Sequence, residues 1–203
     1  MSRALIVCLL ATLSAAPALA QQAPATPPAA PDPLLGGPVI PGVCMVSQQA
    51  VVAASKMGQA ATARLQELSQ QTQAELSAQS QPLQTEEKAL AAKRSTLTEA
   101  AFEKQAQALT EREQPIRQLA NQRQRELEAT RTKAFKTIWV AAIPMLQDQY
   151  RAHGCGLLLD RNSVWSGNMA NDLTPGVVQA LDAKITTITF DRESLPANAA
   201  APQ

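Results

Sequence analysis

The chain has 203 residues and a formal net charge of +1, and 38 alanines and 22 glutamines fill 60 of its positions. Apolar residues make up 45% of it but aromatics only 3%, with a single His and a single Tyr, so much of the apolar count favours helix while burying little surface. This argues against a histidine-built metal site and against a globular enzyme around one bulky core, and points to an extended helical protein.

Residues 1–20 read as a secretory signal peptide. Arg3 supplies the positive start, Ala4 to Ala16 an apolar stretch, and Ala18-Leu19-Ala20 an A-x-A cleavage site, the whole too short for a membrane anchor. A buried N-terminal helix is the alternative. Cleavage after Ala20 removes Arg3 and no acidic residue, which leaves 17 basic and 17 acidic side chains. Cys8 goes too, so Cys44 and Cys155 remain, an even pair compatible with one disulfide in an exported protein. Gln21 to Gly42 holds seven prolines and is expected to be a disordered or polyproline-like tether.

Val43-Cys44-Met45-Val46, between Gly42 and Ser47, reads as a buried β-strand. From Gly58 to Gly154 there is no glycine, and the composition is that of long helices. Leu76, Leu83, Leu90 and Leu97 recur every seven residues, and so do Phe102, Leu109 and Ile116. Residues facing each other in an antiparallel hairpin have a constant index total, and Leu97 with Phe102, Leu90 with Leu109 and Leu83 with Ile116 all total 199. The pattern therefore predicts a helical hairpin over 47–153 with its tip near 95–100, where Thr96 and Glu99 have the form of a capping box. One continuous rod is the alternative. Each arm would run on the order of 70–80 Å. Gln79, Glu86 and Lys93 are polar where a stable coiled coil wants a second apolar row, so the seam is thin. Pro82 and Pro115 each remove a helical hydrogen bond at nearly the same height and read as one shared hinge, unless they are two unrelated kinks.

The returning helix becomes apolar towards Phe135, Ile138, Trp139 and Leu146, and Gly154-Cys155-Gly156 ends it. Leu157-Leu158-Leu159 reads as a buried strand, Val164-Trp165 as the start of a partner strand, and Thr174 as the cap of a short helix with Pro175 at its first position. Trp139, Tyr150 and Trp165 are expected to gather at the hairpin root. Ile185 to Phe190 could be a strand or an extension of that helix. The predicted architecture is α+β: a body formed by 43–46 and 154–190, the hairpin, and a disordered tail over 191–203. The body is small enough to expect oligomerisation.

Catalytic signatures are scarce. There is no phosphate-binding glycine loop, G-x-S-x-G, H-E-x-x-H or C-x-x-C, and Glu86-Glu87 diverge by about 100° on a helix. No cofactor, no metal and no enzymatic activity are expected. Between Arg117 and Lys136 six basic residues, among them Arg117, Arg123 and Arg125, stand against Glu126 and Glu128. This excess could attract acidic polypeptide or give transient contact with a membrane or lipid headgroups, or be ordinary solvated surface. Nucleic acid is disfavoured by the export signal and the neutral mature chain.

The order of parts resembles the Skp (OmpH-like) periplasmic chaperones. The residues that carry the resemblance are Val43-Cys44-Met45-Val46 with Ser55-Lys56-Met57-Gly58, then Gly156 to Asp160 with Asn162-Ser163-Val164-Trp165, and Asp172-Leu173-Thr174-Pro175 leading to Val178 and Leu181. It covers about residues 43–184, the hairpin by composition more than by motif. It implies a homotrimer with three tentacles around a cavity, holding unfolded outer-membrane β-barrel proteins without ATP in the periplasm. Leu76, Leu83, Leu90, Leu97, Phe102 and Leu109, with Arg117, Arg123 and Arg125, are the expected client-binding residues. Two departures stand out: family members are strongly basic whereas this mature chain is neutral, which weakens any expectation of lipopolysaccharide binding, and the proline-rich tether is additional. Cys44 and Cys155 flank the hairpin root, and a bridge between them is expected, two buried thiols being the alternative. A structural or adaptor coiled-coil protein of the envelope is the second functional reading.

Overall fold

The computed structural model describes residues 37–196; the expected signal peptide and most of the expected tether lie outside them. Strand β1 (Val43–Val46) enters helix α1 (Gln48–Ala54), α2 (Lys56–Ala92) runs out to a turn, α3 (Glu99–Ala152) returns, and β2 (Leu157–Asp160) and α4 (Thr174–Asp182) complete the body. The two strands pair in parallel, Val43 opposite Leu157 and Val46 opposite Asp160. Parallel neighbours need a long crossover, and here the whole hairpin is that crossover.

The outgoing arm is not one helix, as expected for 47–153, but two. Ser55 leaves the helical region (φ −69°, ψ 149°), and its Oγ accepts the Gly58 N–H while α1 ends. The corner is tight because a Cβ on Gly58 would lie 1.6 Å from the Val52 carbonyl oxygen. At about 1.5 Å per residue, α2 spans about 55 Å and α3 about 80 Å. The return helix begins two residues later than expected: Thr98, not Thr96, is the N-cap and accepts the Ala101 N–H, while the Thr96 hydroxyl bonds back to the Lys93 carbonyl. At the far end His153 is the C-cap and Gly154 takes φ +62°. The Gly154 and Cys155 N–H groups then reach the Arg151 and Tyr150 carbonyls, a Schellman ending that favours glycine.

The core sits in the body, where Val51, Met57, Ile138, Ala142, Val177 and Leu181 close on Cys44 and Val46. Cys44 and Cys155 are bridged across 111 positions with Cα atoms 5.8 Å apart. Ser47 N–H donates to the Thr174 hydroxyl and Lys56 N–H to the Asp182 carboxylate (2.7 Å), so α4 holds the starts of both α1 and α2. Thr174 is therefore not the cap expected of it. Leu173 occupies that position, and the Thr174 N–H goes to Asp172.

Several other expectations are corrected. Val164-Trp165 forms no strand: a 3-10 turn at Arg161–Ser163 leads into irregular chain, and Trp165 is 103% exposed rather than at the root. The second neighbour of β1 is a single bridge from Met45 to Asp172, so the sheet keeps two strands. β2 is half-buried at best and Leu157 is 52% exposed, whereas Cys44, Met45 and Val46 of β1 are all buried. The last residues of the expected tether are held on the body, with Asn168 bonding the Gly37 carbonyl and Gly156 N–H bonding the Gly42 carbonyl. Residues 185–190 are neither strand nor helix, and 191–196 do not hang free; both stretches lie along the hairpin.

Candidate functional site

The outer half of the hairpin is held by a line of large apolar side chains. Leu83, Leu90 and Leu109 are 6%, 7% and 9% exposed, and Leu97, Phe102, Ala106 and Ile116 pack on them. This is the register with index total 199. Arg94 lies over the Phe102 ring at 4.2 Å and pairs with Glu99 at 2.8 Å, tying the tip together. Pro82 and Pro115 sit inside continuous helices beside Leu83 and Ile116, and Pro144 is a third proline within α3.

Charge also bridges the arms. The Arg112 guanidinium forks onto both Glu86 oxygens and holds that carboxyl below its usual range. At the same height, Glu87 shares a hydrogen bond with Glu113, which raises Glu87, whereas Glu113 is lowered by Glu87 and by Arg117. All of these groups face solvent, where such pairs contribute little individually.

Towards the root the heptad continues with Arg123 and Thr130 where apolar residues are expected, and the seam becomes a buried ionic cluster. Arg123 donates to Glu75 (2.7 Å) and to Glu126 (2.8 Å), and Glu126 is only 2% exposed. Arg192, from the C-terminal segment, inserts between the same two carboxylates, with Nη1 2.9 Å from the Thr72 hydroxyl. Hydrogen bonding to Arg123 is the main cause that lowers Glu75. Burial pushes Glu126 up, but Arg123, Gln122 and the Leu195 N–H outweigh it and hold the carboxyl below its ordinary value. An ion pair this deep stands only if its remaining lone pairs are satisfied, and here backbone and side-chain donors satisfy them.

Residues 185–195 form a strap over this cluster. Ile185, Ile188 and Phe190 pack against the body core. The Phe190 carbonyl accepts from Arg64 (3.1 Å), Glu193 N–H donates to the Thr130 hydroxyl (2.9 Å), and the Leu195 carbonyl accepts from Gln122 (3.2 Å).

Of the residues expected to meet clients, Leu83, Leu90 and Leu109 face one another in the seam, while Leu76, Leu97 and Phe102 are half-buried. Arg117 is exposed, Arg123 is bound into the root cluster and Arg125 is half-buried. Leu76 lines a groove of about 540 Å³ between the arms with Leu65, Leu127 and Arg131. Glu75, Glu126, Thr130 and Arg192 were missed; the polar break in the heptad at Arg123 and Thr130 was the signal for them. Among the described residues no helix is long and apolar enough to cross a membrane, and no group of side chains is arranged to hold a metal.

A long two-helix hairpin projecting from a disulfide-closed body with a two-stranded parallel sheet defines an α+β tentacle architecture. The model of the outer membrane protein (OmpH-like) family matches residues 42–181, and the chain belongs to that family. A crystal structure from Caulobacter crescentus CB15, described as a candidate OmpH-like outer membrane chaperone, is 42% identical. It superposes with a TM-score of 0.67 over 78% of this chain and 94% of the other. Comparison with curated proteins returns no match. Both matches support a chaperone of the OmpH family.

Proposed function

We propose that the protein is an ATP-independent holdase of the periplasm that binds unfolded outer-membrane β-barrel proteins between the tentacles of a homotrimer, after cleavage of the signal peptide following Ala20. The observation that carries this reading is the hairpin itself, in a chain belonging to the OmpH-like family. Its arms are joined by one apolar residue per heptad and otherwise present alanine, glutamine and scattered charge. Such a surface makes many weak contacts and commits to no single sequence.

Client contact is assigned to the half-buried Leu76, Leu97 and Phe102 and to the exposed Arg117, and engagement of Leu83, Leu90 and Leu109 requires the arms to part. Pro82 and Pro115 are the hinge for that movement. The exposed Trp165 and Leu157 of the body support assembly through the body. The test is dilution of a urea-unfolded β-barrel protein into buffer with the purified mature chain and no nucleotide, with mass determination in solution alongside. Stoichiometric suppression of turbidity by a trimer is expected. A trimer that leaves aggregation unchanged favours the adaptor reading.

A further inference from the structure

We propose that the C-terminal strap, residues 185–195, is an internal stand-in for client: it occupies a groove along the hairpin that takes an extended segment of an unfolded β-barrel protein, and client must displace it. The proposal rests on the chaperone reading and names a site for it.

The strap is shaped as a bound strand without a sheet. From Ile188 to Arg192 half-buried and exposed residues alternate, with Ile188, Phe190 and Arg192 inward and Thr189 and Asp191 outward, the period of an extended chain. Its Ile-Thr-Thr-Ile-Thr-Phe sequence is rich in β-branched and aromatic residues, which favour strands. Yet its hydrogen-bonding partners are helical side chains. Arg64 on α2 and Gln122 on α3 donate to the Phe190 and Leu195 carbonyls. Thr130 and Glu126 accept from the Glu193 and Leu195 N–H groups.

Recognition of main-chain groups is indifferent to side-chain identity, so affinity comes from the backbone and only the alternate pockets select. A strand of an outer-membrane barrel offers that combination, an extended backbone with alternating polar and apolar residues. The pockets on the hairpin match it. Apolar surface receives Ile188 and Phe190, and the Glu75–Glu126 pair receives one cation.

The strap is also built to leave. Its apolar side chains are only half-buried, and its outer ion pairs, Arg64–Asp191 and Lys133–Glu193, are largely solvated and therefore weak. When it lifts, Arg123 still neutralises part of the carboxylate pair, so the groove does not collapse for lack of a counter-ion. A strap closed nine-tenths of the time weakens apparent client affinity about tenfold.

The experiment compares the mature chain with one ending at Lys184. The probes are a fluorescein-labelled peptide of residues 185–196 and a urea-diluted β-barrel protein. The peptide is expected to bind the shortened chain about tenfold more tightly than the full chain, to be displaced by the barrel protein, and capture of the barrel protein to strengthen by a similar factor. Equal capture by both chains, or a peptide that client does not displace, overturns the proposal and leaves the chaperone reading standing. Suppression of aggregation by neither chain overturns both. Should the shortened chain lose helicity, Arg192→Glu in the full chain carries the test by placing a third carboxylate beside Glu75 and Glu126. Tighter capture by that variant is expected, and unchanged or weaker capture overturns the proposal.

Discussion

The bridge between Cys44 and Cys155 closes a loop of 111 positions that contains the whole hairpin. In the chain-entropy model a crosslink over that span removes about 16 cal/mol/K from the unfolded ensemble, or about 4.8 kcal/mol at 25 °C. For a chain of this size about 2–4 °C of melting temperature accompanies each kcal/mol, so the Cys44→Ala/Cys155→Ala variant should melt about 10–20 °C below the parent. The assay is circular dichroism at 222 nm with both proteins at one concentration, because any self-association would shift the midpoint. The loss should fall on the body: amides of β1, β2 and α4 should exchange faster, while those near Leu90 and Leu109 change little. A midpoint within about 5 °C of the parent would refute the reasoning, as would two titratable thiols in the denatured, unreduced mature chain.

Glu75 and Glu126 are held below the ordinary carboxylate value, so in acid the unfolded chain binds more protons than the folded one. Their contribution is present above the unfolded value of about 4.3 and disappears as pH falls through the depressed folded values. The melting midpoint should therefore drop on acidification below about pH 5, and Glu126→Gln should flatten that drop; an equally steep fall in the variant counts against the cluster. Gly58→Ala places a methyl against the Val52 carbonyl and should cost about 1–3 kcal/mol by prising α1 from α2, visible as a lower midpoint with helicity nearly unchanged. Pro82→Ala with Pro115→Ala returns two missing N–H donors at about 3 kcal/mol of helix propensity per site. It should narrow spin-label distances between the tip and the body, and an unaltered distribution removes the shared hinge.

The hairpin was legible because its information is local and repeated. A constant index total locates the seam from six side chains, and the structure gathers those same residues. The body was legible in part. β1 follows from an apolar run, but the partner of a parallel strand lies beyond a crossover, and nothing local to Val164-Trp165 distinguishes a strand from a turn. Thr96 and Thr98 differ as caps only in which hydroxyl reaches a free N–H. The strap was illegible for a different reason. Its pattern is that of a strand, and its backbone partners are side chains scattered from Arg64 to Thr130 that no periodicity links to it.

The parallel pairing of β1 with β2 has a consequence for size. Both ends of the hairpin leave the same pair of strands, and the arms keep a constant index total through the outer half. Seven residues added to or removed from each arm at matching heights would preserve every facing pair and move the tip by about 10.5 Å. The body, its disulfide and its strap would be unaffected, provided the change falls beyond Pro82 and Pro115. Reach is thus a dimension that can change in steps of one heptad while the body stays fixed.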